Sequence, residues 1–351
     1  MDISRRDGLR TALWTLAGLG TGSLPATLLA QGRSNEALLA HVAPELREIA
    51  RGILAQAEGM PPFSREALPA MREGMKQFAR PELAQPAWEK LAIPTRDGAA
   101  IDLYVVNRSP GGEKPAILHT HGGGYIFGSA ASNLGNLQEI AARLDCVIVS
   151  VDYRLAPETG WRGSVEDNYA GLKWLYTHAA ELGVDRARIA LMGESAGGGH
   201  AAILALLARD RGEVQPCFQC LVYPMLDDRT GTRVTPAWPV GALVWTAQSN
   251  RFGWEAFLGQ EPGVAGVPVT AVPARQADLT GLPPAWIGVG SLDLFVQEDL
   301  DYAGRLIDAG VAVQAEVIPG AFHGFDVLGG GNPLARQFTD SKLAALARAF
   351  A

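Results

Sequence analysis

The sequence predicts an α/β fold built on a mostly parallel sheet with helices on both faces. Three observations carry that expectation. Short apolar runs and amphipathic helical stretches alternate from Ala116 to Pro319. The runs are apolar nearly throughout, as strands covered on both faces are, rather than apolar at every second position. Hydrophobic residues make up 48% of the 351 positions and charged residues 19%, a balance that supplies a large packed core.

Taken in order, the chain opens its patterned part with helix. In "NEALLAHVAPELREIARGILAQA", Leu38, Leu39, Val42, Leu46, Ile49, Ile53 and Leu54 form one stripe at spacings of three and four. "SREALPAMREGMKQFAR" adds a weaker helical stretch, so residues 35–80 read as helical. The period then changes: "WEKLAI" and "AIDLYVV" are short strands around an Arg96-Asp97-Gly98 turn. The strands "AILHTH", "CVIVSVD", "RIALMG" and "CFQCLVYP" follow, separated by three helical stretches. After residue 283 come the strand "AWIGVG", the helix "EDLDYAGRLIDAG" and the strand "VQAEVIP". Residues 227–283 break the rhythm and are rich in Pro, Gly and Trp. A structureless stretch of that length inside a compact domain points to a functional insertion.

The net charge of −7, with no Lys/Arg-rich run, excludes nucleic acid as a main partner. Of the three cysteines, Cys217 and Cys220 are spaced like half a zinc site, but no second pair completes one. All three, with Cys146, read as core thiols. The N-terminus supports two readings. Arg5-Arg6 ahead of the uncharged residues 11–32 resembles a twin-arginine export signal, which would place the protein in the periplasm. The other reading is an N-terminal helix packed on the body of a cytoplasmic protein. Pro25 and the Gly and Thr content argue against a stable membrane span.

The chemistry begins at "LMGESAGGGH". Gly193-Glu194-Ser195-Ala196-Gly197 joins a strand directly to a helix, where a sharp turn lifts a serine hydroxyl clear of the sheet at a helix N-terminus. A serine hydroxyl needs a base to take its proton. With this elbow the partners follow in the order Ser, acid, His, and only His200 and His323 lie after Ser195. His200 is carried away on the same helix. His323, in the glycine-flanked loop "PGAFHGFD" after the last predicted strand, is the expected base. Asp293, just past the strand "AWIGVG", is the expected acid that orients it. Glu298, Asp299 and Asp301 start the next helix and are expected to serve its dipole. "HTHGGGYIFG" explains its glycines the same way: Gly123 and Gly124, with Ala196, would turn backbone N–H groups toward an oxyanion at Ser195. A phosphate cradle would need a following G-K-[ST], which is missing. His119 and His121 lack a nearby third ligand for a metal. Tyr125, Phe127 and Glu194 are expected to border the substrate.

"HGGG", "DYRLAPE", "GESAGG", "GLPPAWIGVGSLD" and "GAFHGF", in that order, make the chain similar to the hormone-sensitive-lipase-like esterases, bacterial family IV, of the α/β-hydrolase superfamily. The resemblance covers about residues 85–330. It implies an α/β-hydrolase fold, an eight-stranded mostly parallel sheet flanked by helices and covered by a helical cap. It implies hydrolysis of short-chain carboxylic esters with no cofactor and no metal. It makes Ser195, Asp293 and His323 a triad, Gly123, Gly124 and Ala196 an oxyanion hole, and Glu158 a buried support near the elbow. Glu194 stands where Asp or Thr is commoner, Leu294 and Phe295 replace Pro-Leu after the acid, and Gln297 replaces an acid. These departures bear on substrate preference.

The expected organisation is therefore residues 33–85 as N-terminal cap helices, 86–226 and 284–351 as the catalytic body, and 227–283 as a cap insertion. The expected partner is a small-molecule ester, with a second copy of the chain, as a homodimer, the one macromolecular partner considered. Two rival functions share the fold: a small-molecule binding protein without catalysis, and an amidase or formamidase using the same triad. The intact Ser, Asp and His favour catalysis over the first.

Overall fold

The computed structural model describes residues 34–59 and 61–351. Both readings of residues 1–32 lie outside the described residues. Three helices come first: α1 (Asn35–Leu39), α2 (Arg47–Ala57) and α3 (Leu68–Met75). A hairpin follows, β1 (Trp88–Pro94) and β2 (Ala100–Val106), closed by the expected turn with Gly98 N–H donating to Thr95 O at 3.1 Å. Then strands and helices alternate: β3 (Lys114–Thr120), α4 (Leu134–Leu144), β4 (Val147–Asp152), α5 (Trp161–Thr177), α6 (Ala179–Leu182), β5 (Val184–Glu194), α7 (Ala196–Arg211) and β6 (Phe218–Val222). Within residues 227–283 the structure adds α8 (Ala247–Leu258), whose N-terminus is capped by the Thr246 hydroxyl accepting from Ser249 N. The chain closes with β7 (Ala285–Gly290), α9 (Val296–Asp308), β8 (Val313–Ile318), α10 (Phe325–Leu328) and α11 (Pro333–Phe350).

The eight strands form one sheet in the order β1-β2-β4-β3-β5-β6-β7-β8. Only β2 runs against its neighbours, so the sheet is mostly parallel, as expected. Side chains on a strand alternate between faces. Leu118, Val149 and Leu191 accordingly meet α5, α7 and α9 on one face. Ile117, Ile148 and Met192 meet α4 and α11 on the other. Beyond the last predicted strand, α11 adds a buried stripe of Ala335, Phe338, Leu346 and Phe350, with Lys342 at its centre. That lysine masks the stripe in the sequence.

The winding reverses at β3, which has β4 on one side and β5 on the other. The C-terminal ends of strands at such a reversal open a crevice. The glycine loop leaves β3 there, and Ser195 leaves β5 beside it. Contact between the two is close: a Cβ at Gly197 would lie 1.9 Å from Thr120 O, and one at Gly193 would lie 2.3 Å from Gly197 O. The Thr120 hydroxyl, at the end of β3, donates to Gly197 O at 2.7 Å and pins the turn.

The N-terminal helices divide in two. Leu38, Leu39, Val42 and Leu46 join the α4–α11 side of the core, and Ala43 N–H donates to Gly320 O at 3.0 Å. Leu68 of α3 joins a third cluster over the glycine loop, with Phe127, Trp245 and Trp254. The cysteines follow their strands: Cys146 and Cys220 are buried, while Cys217, one residue before β6, is only partly covered. No described helix is long and apolar enough to cross a membrane.

The acids at the start of α9 correct the sequence reading. Glu298 and Asp299 are buried, and only Asp301 faces solvent. Glu298 Oε1 accepts from Leu226 N at 2.7 Å and Asp227 N at 3.1 Å, so it ties α9 to the loop after β6. Burial pushes both carboxyls well above the usual carboxylate range. The apolar stripe of α9 turns these positions inward, and that outweighs the helix-end preference.

Three stability outcomes are expected of this packing. Gly197→Ala should cost about 3 kcal/mol or more, because the methyl meets a strand carbonyl that cannot yield. Gly304→Ala, in the exposed middle of α9 with open space around it, should gain about 0.5–1 kcal/mol. Denaturant midpoints check both. Glu298→Gln keeps the acceptor oxygen and removes a carboxyl that burial raises well above the usual range. A raised carboxyl gives its full stability at low pH and loses it as pH rises toward its folded-state value. The gain from Glu298→Gln should therefore be larger at pH 8 than at pH 5, and an equal gain at both would count against a neutral buried Glu298.

Candidate active site

Ser195 sits between β5 and α7 with φ 57° and ψ −122°, a region that non-glycine residues rarely enter. The strain is held by the glycines on either side and by Ser195 N–H donating to Val222 O at 2.9 Å. The side chain is thereby lifted out of the sheet. Its Oγ lies 2.9 Å from His323 Nε2. His323 Nδ1 lies 2.7 Å from Asp293 Oδ2, and Asp293 Oδ1 accepts from Phe295 N at 3.0 Å. Asp293 is fully buried, while Ser195 and His323 each keep 7% exposure. A buried carboxylate with its second oxygen occupied fixes the ring orientation, leaving Nε2 for the serine.

The loops carrying the acid and the imidazole are laid against each other. Leu292 N–H donates to Ala321 O at 2.9 Å, and Gly320 N–H donates to the Ser291 hydroxyl at 2.8 Å. The imidazole makes T-shaped contacts with two aromatic rings, Tyr223 at 4.8 Å and Phe295 at 5.2 Å.

Gly123 and Gly124 have φ of 125° and 58° in succession. This turns the loop back, with Phe127 N–H donating to Gly123 O at 2.8 Å. A Cβ at Gly122 would lie 3.4 Å from Ser195 Cβ, so the loop runs beside the serine. Ala196 opens α7, and the first amides of a helix have no partner within it. The structure thus brings together Ser195, Asp293, His323, Gly123, Gly124 and Ala196. Such an arrangement can remove a proton from the hydroxyl and hold a developing oxyanion.

Over the glycine loop lies an aromatic group. The Trp245 indole would come within 2.2 Å of a Cβ at Gly124. Phe63 packs on Phe127, Trp245 and Phe252 at 5.4, 5.9 and 6.2 Å. Phe63 and Trp245 were not singled out by the sequence, because nothing local ties either to residue 124.

Other expectations need correction. Tyr125 does not border an opening: it is 1% exposed, stacks on Phe257 at 3.9 Å, and its hydroxyl donates to Met225 O. The Glu194 carboxylate turns to His119 Nε2 at 2.9 Å, and His119 Nδ1 meets the Ser150 hydroxyl at 2.8 Å. Burial would raise Glu194, but the attraction and hydrogen bond of His119 and the charge of Lys342 lower it overall. Phe127 does lie in the aromatic group. Glu158 is exposed rather than a buried support. Arg72 of α3 reaches out to it, donating 2.8 Å bonds to both carboxylate oxygens and further bonds to Ile126 O and Ala156 O. The arginine lowers the Glu158 carboxyl. His121 stacks on Tyr153 at 4.1 Å, and burial takes it down to about 4. His200, wedged against Tyr125, Tyr153 and Phe257, is lowered to about 3 by burial. Neither ring has a polar environment suited to proton transfer.

Residues 117–327 match the family model described as alpha/beta hydrolase fold. Carboxylesterase NlhH of Mycobacterium tuberculosis is 37% identical over 242 residues, covering 67% of this chain and 74% of that protein. The ethyl acetate hydrolase of Pseudomonas putida is 31% identical over 248 residues, covering 68% and 76%. Among solved structures, a bacterial heroin esterase superposes with a TM-score of 0.78 at 34% identity, over 89% of this chain and 99% of that one. The chain belongs to the α/β-hydrolase fold family, in its hormone-sensitive-lipase-like branch of carboxylic ester hydrolases.

Proposed function

We propose that the protein is a serine carboxylesterase acting on short-chain carboxylic esters through an acyl-enzyme on Ser195. The observation that carries this reading is the continuous Ser195–His323–Asp293 hydrogen-bond chain beside the glycine loop. Ser195 Oγ attacks the ester carbonyl as its proton passes to His323 Nε2. Asp293 holds the ring and stabilises the imidazolium. The amides of Gly123, Gly124 and Ala196 take the oxyanion. The tetrahedral adduct collapses, and the alcohol leaves with the proton from His323. Water then repeats the sequence with the same imidazole as base, releasing the acid and restoring Ser195. The esterase names of the relatives support the substrate class.

The aromatic group over Gly124 supports a short acyl pocket. In this reading α3, Phe63 and residues 227–283 act as the cap. Each methylene that finds room contributes about 0.8 kcal/mol, and one that finds none costs more than that.

Two outcomes are expected. Ser195→Ala should lower kcat by about a thousandfold or more with the circular-dichroism spectrum unchanged; substantial residual turnover would end the acyl-enzyme mechanism. Across p-nitrophenyl esters from acetate to palmitate, with an anilide alongside, turnover should peak at the short acyl chains and fall steeply by laurate. Phe63→Ala should shift that peak to longer chains, by roughly fourfold in relative kcat/KM for each methylene newly accommodated. An unchanged profile would take Phe63 out of the pocket wall.

A further inference from the structure

Among the described residues, Lys342 is the only lysine or arginine that is buried, with 3% exposure. It occupies the middle of the apolar stripe of α11, between Phe338 and Leu346. Burying an ammonium there costs several kcal/mol unless opposite charges meet it. Leucine would fill the position at no such cost. The lysine therefore has work that packing does not explain, and its neighbours show what it is.

Beside it lies Asp326, with Oδ2 3.8 Å from Lys342 Nζ and a side chain equally buried. Asp326 is three residues after His323, in the short helix α10 that follows the imidazole loop. Its Oδ1 accepts from the Tyr223 hydroxyl at 2.7 Å. Tyr223 is the residue whose ring makes a T-shaped contact with the His323 imidazole. Its backbone is strained, with φ of 35°, where a bulky side chain needs to be held from outside. Two groups hold it: Asp326 at the hydroxyl, and Phe338 stacked on the ring. Phe338 lies one turn before Lys342 on α11. The Lys342 charge also helps lower the carboxyl of Glu194, the residue immediately before Ser195. Glu194 Oε2 is bound to His119, and its Oε1 is buried without a partner. The ammonium thus pairs with the carboxylate that holds Tyr223.

We propose that Lys342 is a positioning residue for the reaction at Ser195, holding Asp326 and through it the Tyr223 wall of the imidazole. This rests on the proposed function. Asp326 from α10 pairs with Lys342, whose charge also lowers Glu194 of β5 and opposes the burial shift of Cys220 of β6. The titratable groups around His323 are Ser195, Asp293 and Tyr223, with Asp299 behind Asp293. Removing the ammonium leaves Asp326 unbalanced. Its charge favours the imidazolium, which cannot accept the serine proton. Removing the Asp326 charge instead leaves the ammonium unbalanced and disfavours the imidazolium.

The test compares Lys342→Met, Lys342→Arg, Asp326→Asn and Ser195→Ala as full chains, on p-nitrophenyl butyrate across the pH range. Lys342→Met should lower kcat about tenfold with KM within about twofold. It should also move the acid limb of kcat/KM to higher pH by about half a unit or more. Asp326→Asn should move that limb to lower pH, and Lys342→Arg should restore it. Opposite shifts mark an electrostatic role, since loosened packing would not change sign between the two variants. Limbs that stay at the wild-type pH, or move the same way in both variants, overturn the proposal, as does an Arg variant that behaves like Met. Should Lys342→Met not fold, the Asp326→Asn and Lys342→Arg limbs decide by the same criteria. Residual turnover in Ser195→Ala would instead strike the proposed function itself. An inactive Ser195→Ala with unmoved limbs strikes only the role of Lys342.

Discussion

The close approach of α7 to the end of β3 is the constraint on which the site depends. Gly197 lies so near Thr120 O that no side chain fits between them. With helix and strand pressed together, the turn between β5 and α7 has no slack, and Ser195 takes the strained conformation that raises its hydroxyl. The same contact lays the glycine loop leaving β3 beside the serine. One packing distance therefore sets both the proposed nucleophile and the proposed oxyanion donors. The acid and imidazole loops arrive from β7 and β8, joined to each other before they meet the elbow. This pairing of preassembled halves suits a reaction in which small displacements of the reacting groups are expensive.

The parts legible in the sequence are those whose chemistry is written locally. Ser195 is announced by its flanking glycines, Asp293 and His323 by their places just after strands, and the sheet by its apolar runs. What the sequence hid depends on partners distant in the chain. Glu158 reads as a support inside the body, yet Arg72, 86 residues earlier, draws it to the surface. Glu298 and Asp299 read as helix-end acids because the sequence does not show which face of α9 turns inward. Tyr125 follows the glycines so closely that it reads as a pocket wall, but its hydroxyl is taken by Met225 O from a loop 100 residues on. The helix α11 is masked by the lysine at the centre of its apolar stripe.

The buried histidines show how the same residue type divides by environment. His323 has a carboxylate on one nitrogen and a hydroxyl on the other. His121 stacks on Tyr153 with its Nδ1 on Gly122 O, His200 is enclosed by three aromatic rings, and burial suppresses the charge of both. His119 is enclosed as well, yet Ser150 and Glu194 occupy its two nitrogens. Of these, His323 alone combines an orienting acid with a partially exposed partner. Polar partners set His323 and His119 apart from the other two, and the exposure of the hydroxyl partner, 7% for Ser195 against 0% for Ser150, separates the candidate base from the structural imidazole.

The four hydrogen bonds of Arg72 also bear on the order of assembly. They join α3 to backbone and side-chain groups 54 to 86 residues further on. During synthesis, the N-terminal helices emerge before any of those acceptors exist. Contacts of such sequence separation close late, after the loops they bridge have formed. Leu68 and its neighbours must therefore wait, apolar side out, while the central strands assemble. A segment made early thus docks late, and in the interval Leu68 stays uncovered on the nascent chain.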